Sequence, residues 1–335
     1  MRFKILVITT AILFTIISVS GCSSNRYKSA HGYKPTYIEN SEWTKELGSD
    51  YGYKPAYTED SEWIKELGYE VSEIHELTVN GPKSCPEIPV EIGDKEYKLL
   101  FDTGCAMGLN LTNIIGDEIA YTLLGETELT NRDGSHQGWA KRVKISEMSV
   151  LGDSYQDIET NISDWSLYQS LKFNGIIGLA YFKSKVITLD YSGRKIAVGR
   201  KPVDYKALNS NKYVVLPLYK TTSRGKQDLL FFEAEYNNKP ITVYMDTGKN
   251  YSYLHNPDSR NSVGNTSADI SGITLKVGNM EIIMNDLTEA NIAQEDGLPY
   301  PTMIELNSDQ IWKCNLLVTI DLIDQKIILS KLKKS

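Results

Sequence analysis

Leu99-Leu100-Phe101-Asp102-Thr103-Gly104 places an aspartate at the end of an apolar run, with Thr and Gly directly after it. Alone, the triplet reads as a strand running into a turn. Val243-Tyr244-Met245-Asp246-Thr247-Gly248 repeats it 144 residues later, again after an apolar run. The match covers nineteen residues, Pro86 to Gly104 and Leu230 to Gly248. Each block has an alternating run, a turn (Gly93-Asp94-Lys95 or Asn237-Asn238-Lys239), a second run and then Asp-Thr-Gly. A second pair of similar runs, 186–196 and 317–327, extends the duplication over nearly a whole lobe. Two carboxylates on duplicated scaffolds are what a two-fold site needs.

The surrounding pattern has period two. Ile88, Val90 and Ile92 alternate with polar residues, as do Tyr97, Leu99 and Phe101, then Ile273, Leu275 and Val277, then Met280, Ile282 and Met284. Short alternating runs separated by Gly, Asn and Asp turns predict an all-β fold. A boundary between the two halves falls near Lys201-Pro202-Val203-Asp204.

With these motifs the chain resembles the bilobal aspartic proteases of the pepsin/retropepsin superfamily, over roughly residues 72 to 333. Phe173-Asn174-Gly175-Ile176-Ile177-Gly178-Leu179 resembles that family's apolar-apolar-Gly element, which lies under the catalytic loop. The resemblance implies two pseudo-two-fold related retropepsin-like β-barrel lobes, 72–204 and 205–335, with a cleft between them. It implies that Asp102 and Asp246 form the acid/base pair, sharing one proton because two adjacent carboxylates cannot both ionise readily. Thr103 and Thr247 would cross-link the two loops through hydroxyl-to-backbone bonds. Gly104 and Gly248 would let backbone N–H groups approach the carboxylates. Ile176, Ile177 and Gly178 would support the first loop. A hairpin over 127–145 would supply a flap, with Gly134, Ser135, Gly138 and Trp139 facing substrate. The implied activity is hydrolysis of extended peptide by a water activated between the carboxylates, without cofactor or metal. The alternative is an inactive relative that binds peptide or a protein partner.

Three features depart from the family pattern. Cys105 follows the first triplet and Lys249 the second, where small residues are usual. An ammonium folded back onto the pair would favour its full ionisation, whereas one pointing to solvent would be harmless. The second half also lacks a clear apolar-apolar-Gly element: counting back from Asp321 as Gly178 stands before Asp190 reaches Asn307-Ser308-Asp309.

Composition narrows the partners. A net charge of −7 with no basic run argues against nucleic acid. The four cysteines (Cys22, Cys85, Cys105, Cys314) show no metal or Cys-x-x-Cys spacing, and the four histidines are scattered. His136 with Ser135 and Asp133 makes no nucleophile elbow. A monomer is expected.

The N-terminal part reads as address and tether. Met1-Arg2-Phe3-Lys4 precedes an apolar stretch, Ile5 to Val19, too short to span a bilayer. Val19-Ser20-Gly21-Cys22 resembles a bacterial lipobox. That resemblance implies cleavage of a signal peptide, 1–21, lipidation of Cys22 and an extracytoplasmic, membrane-anchored protein. Residues 22–71 are expected to form a tether holding two 20-residue repeats, 31–50 and 51–70. Ser41-Glu42-Trp43-Thr44-Lys45-Glu46-Leu47-Gly48 is answered by Ser61-Glu62-Trp63-Ile64-Lys65-Glu66-Leu67-Gly68. A two-turn helix of this kind is marginal in water by itself, so a spacer is the expectation, with a docking or inhibitory segment as the alternative. With nine acidic residues against four lysines, residues 31–70 are ill suited to plug a carboxylate-lined cleft.

Overall fold

The computed structural model describes residues 62–81, 84–105, 108–130, 136–164, 172–219, 229–257, 269–290 and 297–332. The expected signal peptide, Cys22, the first repeat and the start of the second lie outside the described residues. So do Gly134 and Ser135.

The alternating runs form strands, as their period requires. Ile88, Val90, Ile92, Tyr97, Leu99 and Phe101 all turn inward, and Glu91 and Glu96 turn outward. Glu87–Ile92 and Lys95–Phe101 pair antiparallel, as do Leu230–Tyr236 and Lys239–Met245. In the second hairpin Asn237 and Asn238 hold φ of 53° and 56°. Two successive left-handed residues match the twist of the flanking strands, and Asn tolerates that conformation better than most side chains.

Three sheets result. Residues 87–177 contribute a seven-stranded sheet, in which Glu87–Ile92 pairs both with Lys95–Phe101 and with the far end of His136–Val150. That double pairing closes a barrel. The corresponding sheet of the second half has eight strands in open order. There the strand that would complete closure is divided into Met280–Met284 and Leu287–Ala290. The second half is therefore a half-barrel, not the closed barrel that duplication suggested.

A six-stranded sheet joins the halves. At its centre Val186–Asp190 runs antiparallel to Leu316–Asp321, and Thr188 faces Thr319 with hydroxyls 2.8 Å apart. Three strands stand on each side of this line, in matching order. Asp190 and Asp321 end the two central strands. Asp190 accepts Gly193 N–H at 2.7 Å, and Asp321 accepts Ile323 and Asp324 N–H at 3.0 and 2.9 Å.

The folded body begins earlier than the tether expectation placed it. Glu62–Leu67 is a helix with Trp63 and Leu67 buried against the six-stranded sheet. Trp63 Nε1 donates to Asp190 Oδ2 at 2.8 Å, and Glu66 accepts from Lys212 and from Tyr213. The mirror position is filled by the segment between the halves: Tyr205 donates its hydroxyl to Asp321 Oδ2 at 2.5 Å. A helix too short to persist in water is thus held by a tryptophan anchored on the sheet.

Candidate active site

Both Asp-Thr-Gly loops leave equivalent strands and meet on the pseudo-two-fold axis. Thr103 N–H donates to Thr247 Oγ1, and Thr247 N–H donates to Thr103 Oγ1, each at 3.0 Å. Each hydroxyl then donates to the opposite strand: Thr103 to Met245 O at 2.9 Å, Thr247 to Phe101 O at 2.5 Å. Four buried bonds lock one loop to the other. Thr103→Val leaves Thr247 N–H unpaired and takes one of the donors from Met245 O. We expect a loss of about 1–3 kcal/mol in urea unfolding. Adding Thr247→Val should cost less than a second independent loss, because the two share one network.

The carboxylates face each other across this clasp. Gly104 N–H donates to Asp102 Oδ1 at 2.7 Å and Gly248 N–H to Asp246 Oδ1 at 3.0 Å. A Cβ on Gly104 would lie 2.6 Å from the Asp246 carboxyl carbon, and one on Gly248 would lie 2.3 Å from that of Asp102. Glycine is required at both positions because each backs onto the other half's acid. Asp102 and Asp246 lie close enough that each alters the other's hold on its proton. Burial, then the neighbouring Asp246 carboxylate, hold Asp102 well above the usual carboxylate range. Burial also raises Asp246, opposed most by Lys249.

Beneath the first loop, Ile176 and Ile177 pair in parallel with Leu100 and Phe101, and Ile177 O accepts Asp102 N–H at 2.9 Å. A Cβ on Gly178 would come within 2.3 Å of Cys105 O, so no other residue fits there. In the second half the same register pairs Tyr244 with Glu305. Tyr244 stands two residues before its aspartate, as Leu100 does, so Glu305-Leu306-Asn307 is the counterpart of Ile176-Ile177-Gly178. Counting along the chain missed it by two residues because the helix Ser308–Lys313 is longer than the turn Leu179–Phe182.

That counterpart explains Lys249. Its side chain turns inward and Nζ donates to Glu305 at 3.1 and 3.3 Å, while standing 3.6 Å from Asp246 Oδ2. His255 Nε2 lies 2.9 Å from Glu305 Oε1, and Asn307 Nδ2 donates to Oε2 at 2.9 Å. Burial by itself would raise Glu305, but Lys249, His255 and Asn307 outweigh it and hold Glu305 well below the usual range. Where the first half packs Cys105 with Ile176 in an apolar cluster, the second half buries an ion pair. Tyr244 adds a phenol 3.4 Å from Asp246 Oδ2, where the first half has Leu100.

The hairpin is longer than expected, pairing Thr122–Thr130 with His136–Val150. Its Leu129 and Ala140 pack with Cys85, Leu100 and Cys105 beside the first loop. Gly138 and Trp139 lie on the returning strand, and Trp139 is 60% exposed. Asp102 is only 5% exposed and Asp246 is fully buried, so the pair is covered in this conformation. Residues 258–268, where a hairpin of the second half would fall, lie outside the described residues.

Among the described residues no cluster of His, Cys, Asp or Glu could hold a metal ion, and no helix is long and apolar enough to cross a membrane. Compared with known proteins, the chain matches no family model and no curated protein.

Proposed function

We propose that this protein is an aspartic endopeptidase of the pepsin/retropepsin kind, cutting extended peptide with the Asp102–Asp246 pair. The observation that supports it best is the pair itself: two buried acids from separate halves, each set against the other half's glycine and clasped by reciprocal threonines. Such a pair holds one proton over a range in which isolated carboxylates would have lost both. One carboxylate removes a proton from a water between them. The other gives its proton to the scissile carbonyl oxygen. Water oxygen bonds to the carbonyl carbon, and a neutral geminal diol forms with no covalent enzyme intermediate. Collapse breaks the C–N bond as the amine takes up a proton. Access requires the hairpin over the first loop to lift, a gating motion of an ordinary kind for lids.

On this proposal the protein has a two-lobed acid-protease fold, is attached by lipid on Cys22 to the outer side of a bacterial membrane and acts on peptide or protein as a monomer. A second reading is peptide binding without hydrolysis. It is favoured by Lys249, whose ammonium stands 3.6 Å from Asp246.

The full chain incubated with a mixed peptide library from acidic to neutral pH should yield fragments. Asp102→Asn and Asp246→Asn should each lower the rate at least ~100-fold, the lower end for loss of an acid/base group. Peptides bound but intact across that range would favour the second reading.

A further inference from the structure

We infer that Lys249 is a positioning residue: anchored by Glu305, its ammonium keeps Asp246 as the ionised partner and leaves the shared proton on Asp102. The inference rests on the two-carboxylate reading above and assigns the roles within it.

The two-fold frame alone cannot make that choice. Each aspartate ends an equivalent strand, accepts one N–H from its own glycine and faces the opposite glycine. A proton between them would have no preferred side. The difference comes from the shell, which is apolar in one half and charged in the other. Leu100, Cys105 and Ile176 stand where the second half has Tyr244, Lys249 and Glu305.

The groups around Lys249 come from several elements. Asp246 and Tyr244 belong to the strand and loop before it, with Nζ 3.6 Å from the carboxylate and 5.7 Å from the ring centre. Glu305 and Asn307 come from the parallel strand beneath and the residue two beyond it. His255 and Tyr253 come from the strand Ser252–His255; His255 contacts Glu305, and the Tyr253 phenol is influenced by both Glu305 and Lys249. From the first half, Asp102 is the other member of the pair, and the buried Cys85 thiol and Tyr191 phenol lie within electrostatic reach of Asp246; Asp309 of the second half acts on those same two groups. Among the described residues, Lys249 is the one cation within ion-pair distance of either aspartate.

Glu305 makes this arrangement durable. An isolated lysine in a dry site would lose its proton or turn outward. With Glu305 bound on one side, and Glu305 itself held by His255 and Asn307, the ammonium stays charged beside Asp246. A fixed charge order sets the polarity of the reaction. Asp246 takes the proton from water, and Asp102, in the half that carries the hairpin, donates to the carbonyl oxygen. The substrate carbonyl therefore points toward the first half.

The test is a titration that needs no turnover. Full-length protein labelled with carbon-13 at aspartate carboxyls is acidified, and the two signals are assigned with Asp102→Asn and Asp246→Asn. In the native protein the first proton should move the Asp102 signal alone, and Asp246 should respond only in a later step at lower pH. In Lys249→Met/Glu305→Leu, which gives the second half an apolar pair like that of the first, the two steps should draw together. An Asp246 signal that moves in the first step of the native titration overturns the inference. So does a double variant whose two steps stay where they were. Failure to cut the peptide library would leave this readout intact, and failure of the charge order would leave cleavage standing.

Discussion

Lys249→Met is expected to lower folding stability by about 3–5 kcal/mol, whereas Lys249→Met/Glu305→Leu recovers part of the loss. The reason is desolvation. Glu305 is almost wholly buried, and its charge is tolerated only because an ammonium, an imidazole and an amide converge on it. Removing the ammonium leaves a carboxylate in a dry site. Removing both charges leaves an apolar contact like that of Cys105 and Ile176 in the first half, but it also takes from the buried His255 its partner, so recovery stops short of the native value. Urea unfolding of the two variants separates the cases: equal losses would mean that the ion pair contributes nothing specific. The pH dependence has a definite sign. In the native protein Glu305 is depressed below its unfolded value, so its contribution is present above ~4.3 and lost as pH falls toward the folded value. In Lys249→Met burial raises Glu305 instead, so the deficit should be largest near neutrality and shrink on acidification.

Much of this architecture is legible in sequence because it is local or repeated. Alternation at Ile88, Val90 and Ile92 reports a strand with one buried face, and the structure buries that face. The triplets point to each other because they end matching blocks, and the sheet register puts those blocks in equivalent places. Glu305 is different. It is 56 residues from Lys249 in the chain, and no periodicity links them. Only the parallel pairing of Tyr244 with Glu305 brings the acid beneath the loop. The two extra residues in the neighbouring helix defeat counting from the better-matched strand at Asp321. Lys249 could be recognised as unusual, but its partner could not be named. The closed barrel of the first half and the open sheet of the second were also hidden, because closure depends on one strand continuing past Asn285-Asp286.

The N-terminal boundary was missed for a related reason, and it supports the second large effect. Glu62–Leu67 has too few turns to be stable alone, so sequence favours a spacer. The sheet supplies what the helix lacks. Trp63 is 4% exposed, packs in the cluster that includes Val186, Ala197, Leu317 and Ile328, and donates its indole N–H to Asp190. Trp63→Ala should therefore cost about 3–5 kcal/mol in urea unfolding, as for other large buried aromatics. Trp63→Phe keeps the apolar bulk but leaves Asp190 Oδ2 without this donor, for an expected loss of about 1–3 kcal/mol. The matching tryptophan of the first repeat, Trp43, provides the contrast. The sheet offers two equivalent aspartates, and these are taken by Trp63 and Tyr205. Trp43→Ala should then change stability by no more than about 0.5 kcal/mol. Equal losses at Trp43 and Trp63 would mean that both repeats are bound into the folded body, and the border between tether and body would have to move again.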